Sequence, residues 1–371
     1  MDNLKDWYHT TNISEIDSPA LVIYKDRVIQ NINTAISMVD DVSKLRPHVK
    51  THKTKEAAQL MIDAGINKFK CATIAEAEML AMINTPDVLL AYQPIGPKLN
   101  RFIALIKKYP ATKFSCLVDN IDSAKNIAEA AAENDIEINV YIDLNIGMNR
   151  TGIAPGSQAM QLYTTCANTK GIQPTGLHAY DGHIRTTDLE QRTIECNQAF
   201  ETVTQMQQQL QQQGFSKPVI IAGGSPTFPI HAKRKEVECS PGTFVYWDKT
   251  YLRYTEQHFV PAALVITRII SLPGSTKLCL DIGHKSISAE NELSNRVYFL
   301  NAPPLQFVSH SEEHLVAEAP ANHTHKPGDI LYGLPVHICP TCALYERAFV
   351  VQNNRVTTEW KMIARDRKIE V

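Results

Sequence analysis

The sequence lacks both an excess of charge of either sign and a long hydrophobic run. It has 37 Lys and Arg residues against 39 Asp and Glu residues, a formal net charge of -2. Binding to nucleic acid or to an anionic membrane depends on a basic field that this balance does not supply. Apolar stretches such as 261–266 are far shorter than the roughly 20 residues that span a bilayer, and residues 1–14 lack the basic start and apolar run of a secretory signal. We therefore expect a soluble cytoplasmic protein with no nucleic-acid or membrane partner.

Cysteine is present, but without a disulfide pattern. The eight cysteines have no regular spacing, and in the absence of a secretory signal we expect them to be reduced thiols. Hydrophobic residues make up 44% of the 371 residues and charged residues 20%, which is an ordinary globular composition. A chain of this length exceeds the size at which one core usually stops growing, so we expect two domains.

Between Ala20 and Tyr246, short β-rich runs alternate with helical stretches, the pattern of βα units around a parallel sheet. The predicted strands are 20–24, 45–50, 68–72, 87–92, 113–119, 138–144, 176–179 and 218–222. About eight such units close into a (β/α)8 barrel with the helices outside. An open doubly wound sheet is the alternative, but the chain has no glycine-rich turn after its first strand, which the dinucleotide-binding version needs. The sequence therefore favours the barrel.

After about Tyr254 the sequence changes to β-rich segments without helices between them. The predicted strands are 263–271, 277–281, 296–301, 314–319 and 329–332, followed by a hairpin of 349–352 and 356–362. Asn353 and Asn354 form the turn signal of this hairpin, since asparagine tolerates the left-handed conformation. We therefore predict an α/β barrel domain over 17–255 and a β-rich domain over 256–371, with residues 1–16 as a segment that could pack on the second.

One lysine stands out at the end of the second predicted strand. The segment Arg46-Pro-His-Val-Lys-Thr-His-Lys53 lies where a strand meets the face on which these barrels carry catalytic groups. Imine chemistry with pyridoxal phosphate needs a lysine amine at a strand end, partly desolvated and directed by its neighbours. Lys50 meets this description best, and Lys53 is the alternative. Residue types alone also allow a basic loop with no such role.

The same segment resembles the signature of the D-threonine aldolase and D-serine dehydratase family, which shares the barrel of alanine racemase. The resemblance covers nearly the whole chain, from Asp17-Ser-Pro-Ala20 to the terminal β-rich domain. It implies an alanine racemase-like fold, a fold-type III pyridoxal phosphate enzyme, and Lys50 as the residue that holds pyridoxal 5'-phosphate as a Schiff base. It also implies a homodimer.

Two turns late in the barrel are candidates for binding the cofactor phosphate. Gly223, Gly224 and Ser225 follow a buried strand, and Gly242 and Thr243 lie in a second such turn. Backbone N–H groups at the last strand ends of these barrels commonly bind phosphate, and glycine lets the phosphate approach closely. Either turn alone is compatible with a plain strand-to-loop connection. As a pair, and by the resemblance, they predict the phosphate site.

Three further candidates follow other predicted strands. Arg150, in a segment that begins at Asp143, is similar to the residue that alanine racemase relatives place near the cofactor ring, which implies that it donates to the phenolic oxygen. A surface ion pair is the alternative for Arg150. Tyr180 and His183 lie in His178-Ala-Tyr-Asp-Gly-His183 and are expected to contact the cofactor or the substrate. His183 is the candidate catalytic base, and a structural histidine is the alternative.

A His-x-Cys pair in the β-rich domain predicts a divalent metal site beside the cofactor. In an extended strand, His337 and Cys339 are two residues apart and face the same way. Imidazole and thiolate suit zinc, two protein ligands leave positions open for substrate, and manganese or cobalt are alternatives. Cys339 and Cys342 also form a Cys-x-x-Cys, but no second one completes a structural zinc site. Residue types alone also fit a His and a Cys packed in a sheet core.

The resemblance implies a lyase that acts on D-β-hydroxy-amino acids. Tyr180-Asp-Gly-His183 looks like the aldolases, which form glycine and an aldehyde, whereas His337-Ile-Cys339 resembles the zinc-binding pair of the D-serine dehydratases, which form a keto acid and ammonia. Retro-aldol cleavage is the first expectation and the dehydratase the alternative. An amino-acid racemase ranks lower because a metal beside the hydroxyl does nothing for racemisation. A non-catalytic cofactor-binding protein also ranks lower, because such single-domain relatives lack the β-rich domain.

Overall fold

The computed structural model describes residues 7–371, which form two compact units. The barrel unit consists of residues 35–50, 58–242 and 366–371, and the sheet unit consists of residues 7–34, 51–57 and 243–365. Within 7–371, none of the helices combines the length and the apolar character that crossing a membrane requires.

The elements are numbered along the chain. The strands are β1 Ala20–Tyr24, β2 Lys68–Cys71, β3 Asp87–Leu90, β4 Lys113–Val118, β5 Ile138–Asp143, β6 Ile172–Ala179, β7 Val219–Ala222, β8 Val237–Cys239, β9 Ala263–Ser271, β10 Lys277–Leu280, β11 Val297–Phe299, β12 Gln306–His310, β13 Leu315–Glu318, β14 Ile330–Pro335, β15 Arg347–Gln352 and β16 Arg355–Lys361. The α-helices are α1 Lys25–Ser37, α2 Lys55–Asp63, α3 Ile74–Ala81, α4 Pro97–Lys108, α5 Ile121–Glu133, α6 Ser157–Ala167, α7 Leu189–Gln212, α8 Phe228–His231 and α9 Ile338–Leu344.

The barrel unit is built on a parallel sheet whose strands follow chain order. Strands β2 to β8 form seven parallel neighbours. Residues 45–48 close the ring, because Leu45 bridges Cys239 of β8 and His48 bridges Lys70 of β2, both in parallel. The predicted (β/α)8 barrel followed by a β-rich region is confirmed.

The closing segment is shorter than the strand predicted over 45–50. Pro47 has no N–H to donate, and its carbonyl accepts from the N–H of Lys70 at 2.8 Å. The segment therefore forms only isolated bridges. The buried side chain of Arg46 holds it in place through two ion pairs. The Arg46 guanidinium lies 2.6 Å from Asp87 Oδ1 of β3 and 2.7 Å from Glu238 Oε2 of β8.

The interior of the barrel is filled by side chains from several strands. Leu89, Leu117, Tyr141 and Ile221 belong to β3, β4, β5 and β7 and pack in one buried cluster. Inward packing from different strands makes the barrel a solid core with its groups of chemical interest at the strand ends.

The sheet unit contains a nine-stranded sheet in which β9 is central. Strand β1 pairs antiparallel with β9 and parallel with β15, so the prediction that 20–24 is the first barrel strand is wrong. All five residues of β1 are buried, so its sequence has no alternation of apolar and polar residues that would indicate its partners. The eighth barrel position belongs instead to β8, which was not among the predicted strands and has only three residues.

The remaining strands of the sheet unit largely follow the sequence pattern. The hairpin of β15 and β16 is confirmed, and Asn353 and Asn354 have φ angles of 52° and 59°, as a left-handed turn requires. Strand β12 was not predicted, because its side chains are mostly exposed and give no apolar signal. It pairs with β13.

The N-terminal segment of the sheet unit packs on the sheet. The ring of Tyr8 lies 4.8 Å from the ring of Tyr332 of β14, and both belong to a buried cluster with Val22 and Leu264. Of the segment 1–16 predicted to pack here, residues 1–6 lie outside the described part of the chain.

Candidate active site

A cavity of about 390 Å³ lies at the C-terminal ends of the barrel strands. Its lining residues come from the closing segment and from the ends of β2 to β6, which is the face where barrels of this kind place their catalytic groups. The volume falls in the range of roughly 300–1,000 Å³ that small-molecule sites occupy.

Three of the predicted cofactor residues line this cavity, namely Lys50, Arg150 and Tyr180. Lys50 lies two residues after the closing segment, and it is exposed. The Arg150 guanidinium carbon lies 5.2 Å from the centre of the Tyr180 ring. An accessible amine, an aromatic face and a guanidinium therefore meet in one place, while Lys53, the alternative Schiff-base lysine, does not line the cavity.

The cavity holds a second lysine that the sequence patterns did not indicate. Lys70 lies on β2 and is 3% exposed. Its amine donates to Ser240 Oγ at 2.7 Å and lies 3.4 Å from His178 Nε2. Burial, followed by the positive charge of Lys50, lowers the pKa of Lys70 to about 7. No sequence motif marks Lys70, because the residues of β2 show no alternation of buried and exposed side chains.

His178 is fixed by a buried carboxylate. Its Nδ1 lies 2.7 Å from Asp143 Oδ1, and both side chains line the cavity. Burial and the nearby Lys70 lower the pKa of His178. Burial alone would raise the pKa of Asp143, but the hydrogen bond from His178 holds this pKa below its ordinary value. A neutral ring that donates Nδ1–H to Asp143 leaves Nε2 as an acceptor, so Lys70 is the donor to it.

The first predicted phosphate turn is held by a second buried carboxylate. Asp181 Oδ1 accepts from the N–H of Gly224 at 3.2 Å and from Thr227 Oγ1 at 2.8 Å. Gly223 has a φ of 81°, a region that favours glycine. Gly223, Gly224 and Ser225 are buried and do not line the 390 Å³ cavity. The turn is therefore built by backbone conformation and by Asp181.

Asp181 also belongs to a group of three side chains that could bind a metal, together with Cys196 and His231. Their ligand atoms lie within 4.8 Å of one another, and within residues 7–371 this is the one such group. His231 Nε2 lies 2.8 Å from Asp181 Oδ2 and 3.2 Å from Cys196 Sγ, both of which are hydrogen-bonding distances. Burial raises the pKa of the Cys196 thiol to about 12. Metal-bound histidines usually donate their second nitrogen to a partner, but His231 Nδ1 is buried without one. We interpret this group as a hydrogen-bonded cluster.

The second predicted phosphate turn adjoins the first through Ser240. The N–H of Ser240 lies 3.1 Å from the carbonyl of Ala222 and 3.3 Å from that of Gly223. Gly242 is buried in the barrel unit, and Thr243 is buried at the start of the next segment of the sheet unit. Neither lines the cavity.

His183 lies close to the loop that carries Arg150 rather than in the cavity lining. A Cβ atom on Gly147 would come within 2.5 Å of His183 Nε2, and Gly147 has a φ of 125°. Only glycine therefore allows this approach. The structure thus brings His183 against the loop after β5, with its side chain exposed.

The predicted metal pair lies in the sheet unit, but not in an extended strand. Strand β14 ends at Pro335, His337 precedes α9, and Cys339 lies in the first turn of that helix. The prediction of a strand here is wrong, because Pro340 is well tolerated in the first turn of a helix and the chain turns there. The imidazole of His337 and the thiol of Cys339 are nevertheless hydrogen-bonded to each other. This hydrogen bond is the largest cause that raises the pKa of His337 to about 9.

The surroundings of the pair fit a divalent metal. His337 Nδ1 lies 2.5 Å from Glu290 Oε1, and a carboxylate on the second ring nitrogen is the usual arrangement of a metal-binding histidine. The N–H of Ile338 donates to Asp248 Oδ2 at 3.1 Å, which fixes the start of α9. Glu290 was not indicated by the sequence because it lies far from the pair along the chain.

Comparisons with known proteins agree with this architecture. The crystal structure of D-threonine aldolase from Filomicrobium marinum superposes with a TM-score of 0.88 at 24% identity and covers 95% of this chain and 97% of that one. D-threo-3-hydroxyaspartate dehydratase from Delftia sp. HT23 has a TM-score of 0.77 at 22% identity, covering 95% and 99% of the two chains. At these identities the likeness establishes the fold.

Sequence relatives span nearly the whole chain. D-threonine aldolase from Arthrobacter sp is 25% identical over 363 residues, 95% of this chain and 94% of the relative. 3-Hydroxy-D-aspartate aldolase from Paracoccus denitrificans (strain Pd 1222) is 24% identical over 371 residues, with 95% and 93% covered. D-serine dehydratase from Dictyostelium discoideum is 22% identical, with 94% and 97% covered.

The fold and the lysine-bearing cavity define an alanine racemase-like barrel enzyme. The family model described as alanine racemase, N-terminal domain, matches residues 23–250, and the one described as putative serine dehydratase domain matches 262–351. The chain belongs to the fold-type III pyridoxal phosphate family and combines the alanine racemase N-terminal domain with the putative serine dehydratase domain. D-threonine aldolases and D-serine dehydratases are among its relatives.

Proposed function

We propose that the protein is a pyridoxal phosphate- and metal-dependent lyase that cleaves D-β-hydroxy-amino acids to glycine and an aldehyde. The observation that carries this proposal is the cavity lined by Lys50, Arg150 and Tyr180 at the strand ends. The relatives that cover nearly the whole chain are lyases, some of them aldolases and others dehydratases. Lyase chemistry is therefore the common factor.

The cavity residues have complementary roles toward the cofactor. Lys50 would hold it through its amine, the Tyr180 ring would support its face, and Arg150 would donate to its phenolic oxygen. Backbone and hydroxyl groups of the two buried turns would bind its phosphate, and these comprise Gly223, Gly224, Ser225, Gly242 and Thr243. When bound, pyridoxal phosphate supplies an electron sink for the bond that breaks at Cα.

His337 and Cys339 would hold the metal, with Glu290 orienting the imidazole. A thiolate ligand favours zinc, and manganese or cobalt are alternatives. A divalent metal supplies Lewis acidity at the substrate hydroxyl. Cys339 Sγ lies 3.1 Å from Thr51 Oγ1, and Thr51 directly follows Lys50 in the sequence.

His183 is the proposed base that accepts the hydroxyl proton in the aldolase reaction. Its approach to Gly147 keeps it beside the loop that carries Arg150. The alternative function is a D-serine dehydratase, in which Lys50 removes the Cα proton and loss of the hydroxyl group yields a keto acid and ammonia. The His-x-Cys pair favours this alternative, because it resembles the pair of the dehydratases. We also propose a cytoplasmic homodimer, as the family resemblance implies.

The two reactions differ in their products. Protein loaded with pyridoxal phosphate and zinc is incubated with D-threonine, D-serine or 3-hydroxy-D-aspartate, and glycine plus aldehyde are assayed separately from keto acid plus ammonia. We expect glycine and aldehyde, and we expect prior chelation of the metal to reduce their rate. Keto acid and ammonia would instead establish the dehydratase.

Lys50 and Lys53 provide a matched pair of variants for this assay. Lys50→Ala is expected to lose the absorbance of the bound cofactor and at least about 100-fold in rate, because it removes the amine that holds the cofactor. Lys53→Ala is expected to keep both. The proposal fails if Lys50→Ala retains the cofactor absorbance, or if no substrate of this class yields either set of products.

A further inference from the structure

Lys70 is a buried amine whose hydrogen-bond partners carry no charge. It is 3% exposed, and it contacts the hydroxyl of Ser240 and the ring of His178. Burying an ammonium group without a negative partner is costly, so such a group tends to lose its proton. The proposed reaction does not use Lys70. Its position in the cavity nevertheless places it among the groups that a bound molecule would meet.

The charges near Lys70 do not supply the missing partner. Burial is the largest cause that lowers its pKa to about 7, and the positive charges of Lys50 and Arg46 act in the same direction. Asp143 and Asp181 oppose this shift, but each is already hydrogen-bonded to a histidine. The Lys70 amine therefore loses its proton more readily than the amine of an exposed lysine.

The cavity as a whole has a positive excess that an anion would balance. Its lining includes the cationic side chains of Lys50, Lys70 and Arg150 and one carboxylate, that of Asp143. Ser240 accepts a hydrogen bond from Lys70 through its hydroxyl. Its N–H donates to the carbonyl groups of Ala222 and Gly223 at the end of β7. Lys70 is thus linked to both turns that are proposed for the cofactor phosphate.

We propose that Lys70 binds an oxyanion of the molecule held in this cavity, and that binding draws one proton from solvent onto the Lys70 amine. The oxyanion is the cofactor phosphate or the substrate carboxylate. This inference deepens the proposed function and rests on it, because it assumes that pyridoxal phosphate occupies the cavity.

The geometry gives each neighbour of Lys70 a part in this binding. His178 accepts a hydrogen bond through Nε2, because Asp143 holds the proton on Nδ1. Ser240 Oγ accepts a second. An ammonium group has three N–H donors, so one remains for the oxyanion. A negative charge within about 4–6 Å favours the ammonium form, which is why proton uptake should accompany binding.

Calorimetric titration measures this proton uptake independently of activity. The probe is pyridoxine 5'-phosphate, which has an alcohol in place of the aldehyde and does not react with the Lys50 amine. Titrations at about pH 8 in two buffers of different ionisation enthalpy give the number of protons taken up. We expect roughly half to one proton per site in the wild type, and less at about pH 6, where the amine is already protonated.

Three variants of lysine residues test the assignment. Lys70→Met is expected to abolish the uptake and to weaken binding about 10- to 100-fold, since a charged hydrogen bond is lost. Lys70→Arg keeps a permanent charge and should bind without uptake. Lys113→Met removes an exposed lysine at the start of β4 and should behave as the wild type.

Two further titrations distinguish the source of the oxyanion. Uptake with pyridoxine 5'-phosphate but not with pyridoxine assigns the phosphate, and uptake only when D-serine is added to the complex assigns the carboxylate. Absence of uptake in the wild type, or equal uptake in the wild type and Lys70→Met, overturns the inference while the cofactor still binds. If neither pyridoxal phosphate nor pyridoxine 5'-phosphate binds the wild type, the proposed function itself fails.

Discussion

Two buried aspartate–histidine pairs each have one member near the end of β6. His178 lies on β6 and Asp181 follows three residues later, but the two pairs end on different groups. In the open pair, Asp143 Oδ1 lies 2.7 Å from His178 Nδ1, and the other ring nitrogen faces Lys70 in the cavity. In the closed pair, Asp181 Oδ2 lies 2.8 Å from His231 Nε2. The histidine holds the pKa of its aspartate below the ordinary value in both, although burial alone would raise it.

The difference between the pairs lies in the third group. The open pair directs an amine that a bound molecule can reach, whereas the closed pair holds Gly224 and Thr227 in place and ends on the protonated thiol of Cys196. The same two side chains therefore serve a binding site in one case and a backbone turn in the other. Their chemistry alone does not decide their role; the surrounding contacts do.

Breaking the closed pair should have the largest effect on stability. Asp181→Asn cannot accept hydrogen bonds from Gly224, Thr227 and His231 in the same way, and it leaves buried donors without a partner. We expect the free energy of unfolding to fall by about 2–4 kcal/mol, measured by urea denaturation. A loss below about 0.5 kcal/mol would contradict the structural role assigned to this pair.

Breaking the open pair should affect binding more than stability. Asp143→Asn removes the carboxylate that keeps the His178 proton on Nδ1, so Nε2 no longer serves Lys70 as a fixed acceptor. We expect binding of pyridoxine 5'-phosphate to weaken by roughly 3- to 10-fold, with a smaller loss of stability than in Asp181→Asn. The comparison fails if Asp143→Asn lowers the stability more than Asp181→Asn and leaves the affinity unchanged.

The smallest effect is expected at the end of the closed pair. Cys196→Ala removes a buried thiol that contacts His231, and we expect a loss of about 1 kcal/mol in stability with unchanged cofactor affinity. Metal analysis gives the sharper readout. Cys196→Ala should keep the zinc content of the wild type, whereas Cys339→Ala should lower it. The reverse result would make the cluster of Asp181, Cys196 and His231 the metal site.

Several features of the fold followed from local patterns. The alternation of strands and helices predicted the barrel, and the pair of asparagines predicted the hairpin of β15 and β16. The position of β1 did not follow, because a strand with all residues buried carries no information about its neighbours. The helical start at His337 and Cys339 also escaped prediction, since the spacing of two residues is read equally well as a strand.

From the sequence we could predict that strands and helices alternate in the barrel and that Lys50, Arg150 and Tyr180 follow strand ends, because these features depend on short-range periodicity and turn chemistry. The folded structure was needed to learn that β1 joins the other sheet, that Glu290 orients His337, and that Lys70 lies in the cavity with uncharged partners. Pairing, burial and electrostatic environment depend on residues far apart along the chain, and no local pattern encodes them.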